Sequence, residues 1–222
     1  MKKHPELIVM LTHNDRTVAD AAEIFEACKD SKAQYWGFKE EGLPLDQMKQ
    51  LYARMKACGK TTFLEVVAYT EAECLRGAEM GVECGVDILM GTLYFPSVHE
   101  YCKEHQLRYM PFVGKITGRP SVLEGTIDGM IAEAKGLLEK GVDGFDLLGY
   151  RYTGDAVELN RRFVAEVPAP VCLAGSVSSY QRLDEVKAAA PWAFTIGSAF
   201  FENKFDGTFA EQIDKVVTYM EK

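Results

Sequence analysis

Positive charge is in short supply. Against 33 acidic residues the 222-residue chain sets 25 lysines and arginines, leaving a formal net charge of −8 and a pI near 5.1. Long-range attraction to a nucleic-acid backbone or an anionic membrane then has the wrong sign, and neither partner is expected. Long apolar runs are missing too: none approaches the roughly 20 residues that span a bilayer. The start, MKKHPELIVMLTHND, carries two lysines and a short apolar run, Leu7 to Leu11, with no small-residue cleavage site behind it, so it reads as a first strand. No C-x-x-C pair occurs. The six cysteines are scattered, several in helical patterns, which points to reduced, mostly buried thiols and a cytoplasmic protein. His4, His99 and His105 make no metal-ligand spacing with cysteine or carboxylate, and His13 reads as a loop residue. Also absent is G-x-G-x-x-G: the first apolar run leads into Thr12-His13-Asn14-Asp15, where a dinucleotide-binding sheet needs a glycine-rich turn.

What is present is a rhythm. Strand-like runs occur at LIVMLT (7–12), YWGFK (35–39), TTFLEVVA (61–68), DILMGTLYF (87–95), YMPFVGKI (109–116), GFDLLGYRY (144–152), PVCLAGS (170–176) and AFTIGSAFF (193–201). Helical patterns separate them. Thr70-x-x-Glu73, Ser97-x-x-Glu100, Asp155-x-x-Glu158, Ser178-x-x-Gln181 and Thr208-x-x-Glu211 each resemble a capping box, and Gly59, Gly85 and Gly141 stand where helices would end. Leu45, Met48, Leu51 and Met55 form one apolar helix stripe, suited to packing on a sheet. Eight strands alternating with helices imply parallel pairing through right-handed crossovers. With the dinucleotide fingerprint missing, the expected fold is α/β, a single (β/α)8 TIM barrel of eight parallel strands with outer helices, spanning 1–222 as one domain.

A barrel does its chemistry at the carboxyl ends of its strands, and those ends are polar here. Round the mouth come Asn14 and Asp15, Lys39 and Glu40, Glu65, Thr92 and Tyr94, Lys115, then Asp146 with Tyr150 and Arg151. Glu40 and Glu41 read as a solvated loop pair, and Arg151 as a cover for the rim. Glu65 and Asp146 differ, because each interrupts an apolar run, FLEVV and FDLL, where only the barrel interior accommodates a charge. A lone buried carboxylate costs several kcal/mol unless paired or protonated, so a basic group must be near. Lys39 and Lys115 are the candidates. These four are the expected catalytic set, acid, base and electrostatic groups that shift one another's pKa. No cofactor is expected, although Glu65, Asp146 and Asp15 could hold Mg²⁺ if they converge. Ala174-Gly175-Ser176 and Ile196-Gly197-Ser198 end the last two runs. Glycine lets backbone approach an anion, and the start of a short following helix favours negative charge, so Gly175, Ser176, Gly197 and Ser198 are the expected phosphate site. Asn14, Thr92, Tyr150 and Arg119 are further expected substrate contacts. Arg119 lies in KITGRPSVLEGT, the longest gap between runs, which suits an arm over the ligand.

The segments PVCLAGSVSSYQRLDEV and WAFTIGSAFFENKF resemble the last two strand-loop units of the ribulose-phosphate-binding barrels, a group with phosphoribosyl isomerases, indole-glycerol-phosphate synthase, and sugar-phosphate epimerases and decarboxylases. The resemblance implies phosphate binding by Gly175, Ser176, Gly197 and Ser198, and a small phosphorylated sugar or sugar-derived substrate. It carries over no catalytic residues: the D-x-K-x-x-D of the decarboxylase branch and the D-x-x-x-G of the histidine-pathway isomerases are both absent. The expected function is an isomerase, epimerase or carbon-carbon lyase working through an enediolate. A class I aldolase with Lys115 or Lys39 as Schiff-base nucleophile is one alternative. The other is a non-catalytic phosphate-ligand sensor, since the strand-helix rhythm also resembles the glycerol-operon antiterminators. Tyr152, Phe200 and Phe201, read as exposed loop aromatics, leave room for a homodimer.

Overall fold

The computed structural model describes residues 4–222, so the lysine pair at 2 and 3 lies outside the described residues. Each apolar run yields one strand: β1 (Glu6–Met10), β2 (Tyr35–Lys39), β3 (Thr61–Val66), β4 (Ile88–Gly91), β5 (Arg108–Met110), β6 (Phe145–Leu147), β7 (Val171–Leu173) and β8 (Ala193–Ile196). They form one sheet in the order β6-β7-β8-β1-β2-β3-β4-β5, with every pairing parallel. At the seam between β5 and β6, the Asp143 N–H donates to the Tyr109 carbonyl at 3.0 Å and the Asp146 N–H to that of Pro111 at 3.2 Å. Those bonds draw the sheet into a (β/α)8 barrel.

Helices α1 (Ala21–Cys28), α2 (Leu45–Ala57), α3 (Glu71–Cys84), α4 (Pro96–Glu104), α5 (Ile127–Lys140), α6 (Ala156–Glu166) and α7 (Tyr180–Ala189) follow the first seven strands, and the short α8 (Ser198–Phe201) and longer α9 (Phe209–Met220) follow β8. The caps are the expected ones at Thr70, Asp155 and Thr208, the last a full capping box with Glu211. Two differ. Ser179, not Ser178, accepts from the Arg182 N–H at the start of α7, and α4 starts at Pro96 after Phe95, so Ser97 lies inside its first turn, where proline's fixed φ has already set the start. On α2, Met48, Leu51 and Met55 are buried as the stripe implied.

The runs overstate strand length at their ends. In AFTIGSAFF the strand stops at Ile196 and SAFF is helix. Phe200 is consequently buried against Phe205 and Phe209, Phe201 stacks on His13, and the Tyr152 hydroxyl donates to the Gly125 carbonyl, which corrects the reading of these three as exposed aromatics. All six cysteines are free and five are buried. Burial pushes the thiols of Cys28, Cys74 and Cys84 up to about 11 and that of Cys102 to about 12, so they stay protonated. No helix among the described residues is long and apolar enough to cross a membrane.

Two hairpins stand on the mouth of the barrel. Thr12–His13 pairs antiparallel with Arg16–Thr17 beyond β1, and Lys115–Thr117 pairs with Val122–Glu124 between β5 and α5. The second is the expected arm.

Candidate active site

The β1 hairpin turns on Asn14 and Asp15, both at positive φ (49° and 65°), the conformation a two-residue turn of this hand requires and one that Asn and Asp tolerate. The turn aims the Asp15 side chain back over the mouth, where the Lys39 ammonium donates to Oδ1. Lys39 Nζ is also 3.7 Å from Glu65 Oε1. Lys39 and Glu65 are register partners at the carboxyl ends of β2 and β3, so the sheet itself sets them side by side. Both are nearly out of water, 9% and 8% exposed. Burial lowers the Lys39 pKa, but the Glu65 charge and the bond to Asp15 outweigh it, and the net shift is upward. Lys39 is therefore an ammonium at neutral pH.

Asp146, on β6, is fully buried, and neither carboxylate oxygen has a hydrogen-bond partner. Burial raises its pKa well above the ordinary carboxylate range, the Glu65 charge adds to this, and Lys39 opposes it. It is a neutral acid beneath the mouth, not part of the cavity wall. Among the described residues no group of acidic, histidine and cysteine side chains is placed to hold a metal ion. The convergence of Asp15, Glu65 and Asp146 that Mg²⁺ requires is not met, since the Lys39 ammonium lies with the first two.

These groups open onto a small cavity at the barrel mouth, about 100 Å³ in volume. Gly175, Gly197, Ser198 and Arg151 also line it. Gly197 has no room for a side chain: a Cβ there would lie 2.7 Å from the Thr12 carbonyl oxygen. Gly175 has φ +117°, and a Cβ would meet Tyr150 at 2.9 Å. Both glycines thus have packing reasons to be glycine, and both bring bare backbone to the cavity.

Other expected residues fall elsewhere. Lys115 sits on the arm, its side chain 70% exposed and paired with Glu124 at 2.9 Å, because the chain leaves the barrel after Met110 and carries Lys115 outward. Ser176 faces solvent and Asn14 is exposed at its turn. Thr92 is fully buried, its hydroxyl 2.6 Å from that of Tyr109. Tyr150 packs under Gly175 with the Arg182 guanidinium over its ring at 4.0 Å. None of these five lines the cavity. Arg119 reaches from the arm to Glu40 (2.9 Å), Glu41 (3.0 Å) and the Val67 carbonyl, so Glu40 and Glu41 are a latch for the arm rather than a free solvated pair. Next to it, Ser121 lines the cavity and meets the Tyr69 hydroxyl at 2.8 Å. Arg151 lines the cavity rather than merely covering the rim; the sequence signal for it is a cation one residue beyond Tyr150, at the end of a strand with a buried acid.

No protein-family model matches the chain, and no curated protein matches it. Solved structures do. The orotidine 5'-phosphate decarboxylase of Pyrococcus horikoshii superposes with a TM-score of 0.71 at 12% identity, over 97% of this chain and 99% of that one. A native KDPGal structure gives 0.71 at 13% identity, over 99% and 95%. A glycerol uptake operon antiterminator regulatory protein from Listeria monocytogenes gives 0.58 at 17%, over 87% and 91%. At these identities the likeness is one of fold, a (β/α)8 barrel.

Proposed function

We propose that this chain is an enzyme that binds a small phosphorylated sugar or sugar-derived compound at its barrel mouth and moves a proton next to a carbonyl through an enediolate. The observation that carries this reading is that the buried Asp15–Lys39–Glu65 cluster opens onto the same cavity as Gly175, Gly197 and Ser198. The bare backbone of the β7 and β8 loops receives the phosphate, and binding energy from that non-reacting end holds the other against the cluster. Glu65 takes the proton from carbon. The electron pair moves onto the carbonyl oxygen, and the Lys39 ammonium stabilises the charge that develops there. Asp15 holds Lys39 in place, and Asp146 lies beneath without reaching the substrate.

The alternatives draw less support. A Schiff-base nucleophile must be a free amine, whereas two carboxylates keep Lys39 protonated and Lys115 is far out on the arm. A ligand sensor needs a phosphate cradle but has no use for a buried ammonium and carboxylate with a second, half-buried carboxylate beside them, an arrangement that costs desolvation. The likeness to the decarboxylase is consistent with an enzyme on this fold, and the antiterminator likeness concerns the fold alone.

The test is deuterium uptake from D₂O at the carbon next to the carbonyl, followed by NMR across a panel of phosphorylated ketoses and aldoses. The wild-type protein should exchange at least one of them, and Glu65→Gln should slow the exchange by about 100-fold or more, as loss of a general base does. Wild-type protein that exchanges none of the panel overturns the proposal.

A further inference from the structure

Four charged side chains line the mouth: Asp15, Lys39, Glu65 and Arg151. They are not mixed. Asp15, Lys39 and Glu65 form one pole, two carboxylates about a single ammonium. Behind this pole the neighbouring cations among the described residues are taken: Arg119 is matched by Glu40 and Glu41, and Arg16 pairs with Glu41 at 3.2 Å. Asp146 below it is a buried neutral acid and leaves the count unchanged. Arg151, at the other pole, is exposed and makes no ion pair or side-chain hydrogen bond with any described residue. It belongs to a one-turn 3₁₀ helix (Gly149–Arg151) tied to β7, where the Tyr150 N–H donates to the Ala174 carbonyl at 3.4 Å and the Tyr150 side chain packs beneath Gly175. The unmatched positive charge therefore stands beside Gly175 at the ends of β6 and β7, the unmatched negative charge at the ends of β1 to β3, and Gly197 and Ser198 lie between them after β8.

We infer that the ligand of this mouth carries its negative charge at one end only: its anionic group is bound by Arg151, and the end that reaches Lys39 is an uncharged hydroxyl- or carbonyl-bearing end. The inference rests on the phosphate-binding reading above and sharpens its substrate class. A ligand with a carboxylate or a second phosphate at the far end would set that charge against Asp15 and Glu65 with no free cation to receive it. Like charges brought together in this way reject a wrong ligand more strongly than contacts elsewhere select the right one. Arg151 thus acts as the binding residue that sets the ligand's direction across the mouth.

Glycerol 3-phosphate and 3-phosphoglycerate test this directly, because they differ only in a terminal CH₂OH or carboxylate. Calorimetric titration, with inorganic phosphate as a third probe, should show glycerol 3-phosphate binding about tenfold or more tighter than 3-phosphoglycerate. Arg151→Gln should weaken glycerol 3-phosphate and inorganic phosphate by about tenfold or more, with Arg151→Lys recovering part of the loss. Glu65→Gln should bring the two esters to within about threefold of each other by removing the excess negative charge. Equal affinity of the wild-type protein for both esters, or Arg151→Gln binding phosphate as wild type does, overturns the inference while leaving phosphate binding intact. If the wild-type protein binds none of the three probes, the phosphate-binding reading fails as well, and the two failures are told apart.

Discussion

Inside the barrel the two ends of the same strands have opposite characters. At the amino ends of β2 and β3 the interior is filled by Tyr35 and Phe63, which pack edge to face with each other at 5.9 Å and both touch Trp192. Ile8, Ile88 and Ala193 complete that layer. Further along the same strands the inward positions become Lys39 and Glu65, with Asp146 across the barrel and Thr195 on the wall. Phe63 in the first layer and Lys39, Glu65 and Asp146 in the second are all buried, yet one layer is apolar and the other charged. An apolar plug costs nothing to desolvate and stabilises by area, about 25 cal/mol per Å². Buried charge gives little net stability and is retained where it serves something else. The difference marks which end is for folding and which is for chemistry.

Breaking the plug should have the largest effect on stability. Phe63→Ala removes a fully buried ring and should cost about 3–5 kcal/mol by chemical denaturation while leaving glycerol 3-phosphate affinity within about twofold. A large loss of affinity with it would mean that the two ends are not independent. At the charged end the expected effect is one of pH. The raised pKa of Asp146 means that the folded protein keeps a proton which the unfolded chain releases above about pH 4. Stability then falls with rising pH, by about 1.4 kcal/mol per unit from this group, until the folded carboxyl itself ionises. Asp146→Asn should remove that contribution, flattening the decline relative to wild type as pH rises above the ordinary carboxylate range; parallel curves would show that Asp146 is not held neutral. The smallest effect belongs to the arm. Arg119→Gln cuts a partly exposed latch and should cost about 0.5 kcal/mol or less, yet it should speed amide hydrogen exchange at Gly118 and Ser121. Unchanged exchange there would place the hold on the arm in its Tyr69 and Tyr152 contacts instead.

Much of this was legible from short-range pattern. Apolar runs, helix stripes and caps at Thr70, Asp155 and Thr208 are local features, dictated by backbone hydrogen bonding and side-chain period, and they suffice for eight strand-helix units. Glu65 and Asp146 were legible as well, because a carboxylate within an apolar strand has one interior to enter. Lys115 shows where this reasoning stops. Its run, YMPFVGKI, looks like one strand, but the ladder ends at Met110 and the next residues build a hairpin, so a lysine that sequence spacing puts at the mouth ends up on the outside of the arm. Asp15 and Arg151 failed in the other direction. Nothing in the order of residues says that the Asn14-Asp15 turn folds back onto Lys39, or that Arg119 is matched by Glu40 and Glu41 while Arg151 pairs with none of the described residues.

The sequence by itself determined the class of fold and which strand ends would be polar, because both follow from alternation and burial along a few consecutive residues. Only the tertiary structure decided how those polar ends are partnered. Ion pairing depends on distances between strands remote in the chain, and closing the barrel brings Lys39 between two carboxylates and leaves Arg151 beside Gly175, paired with none of the described residues.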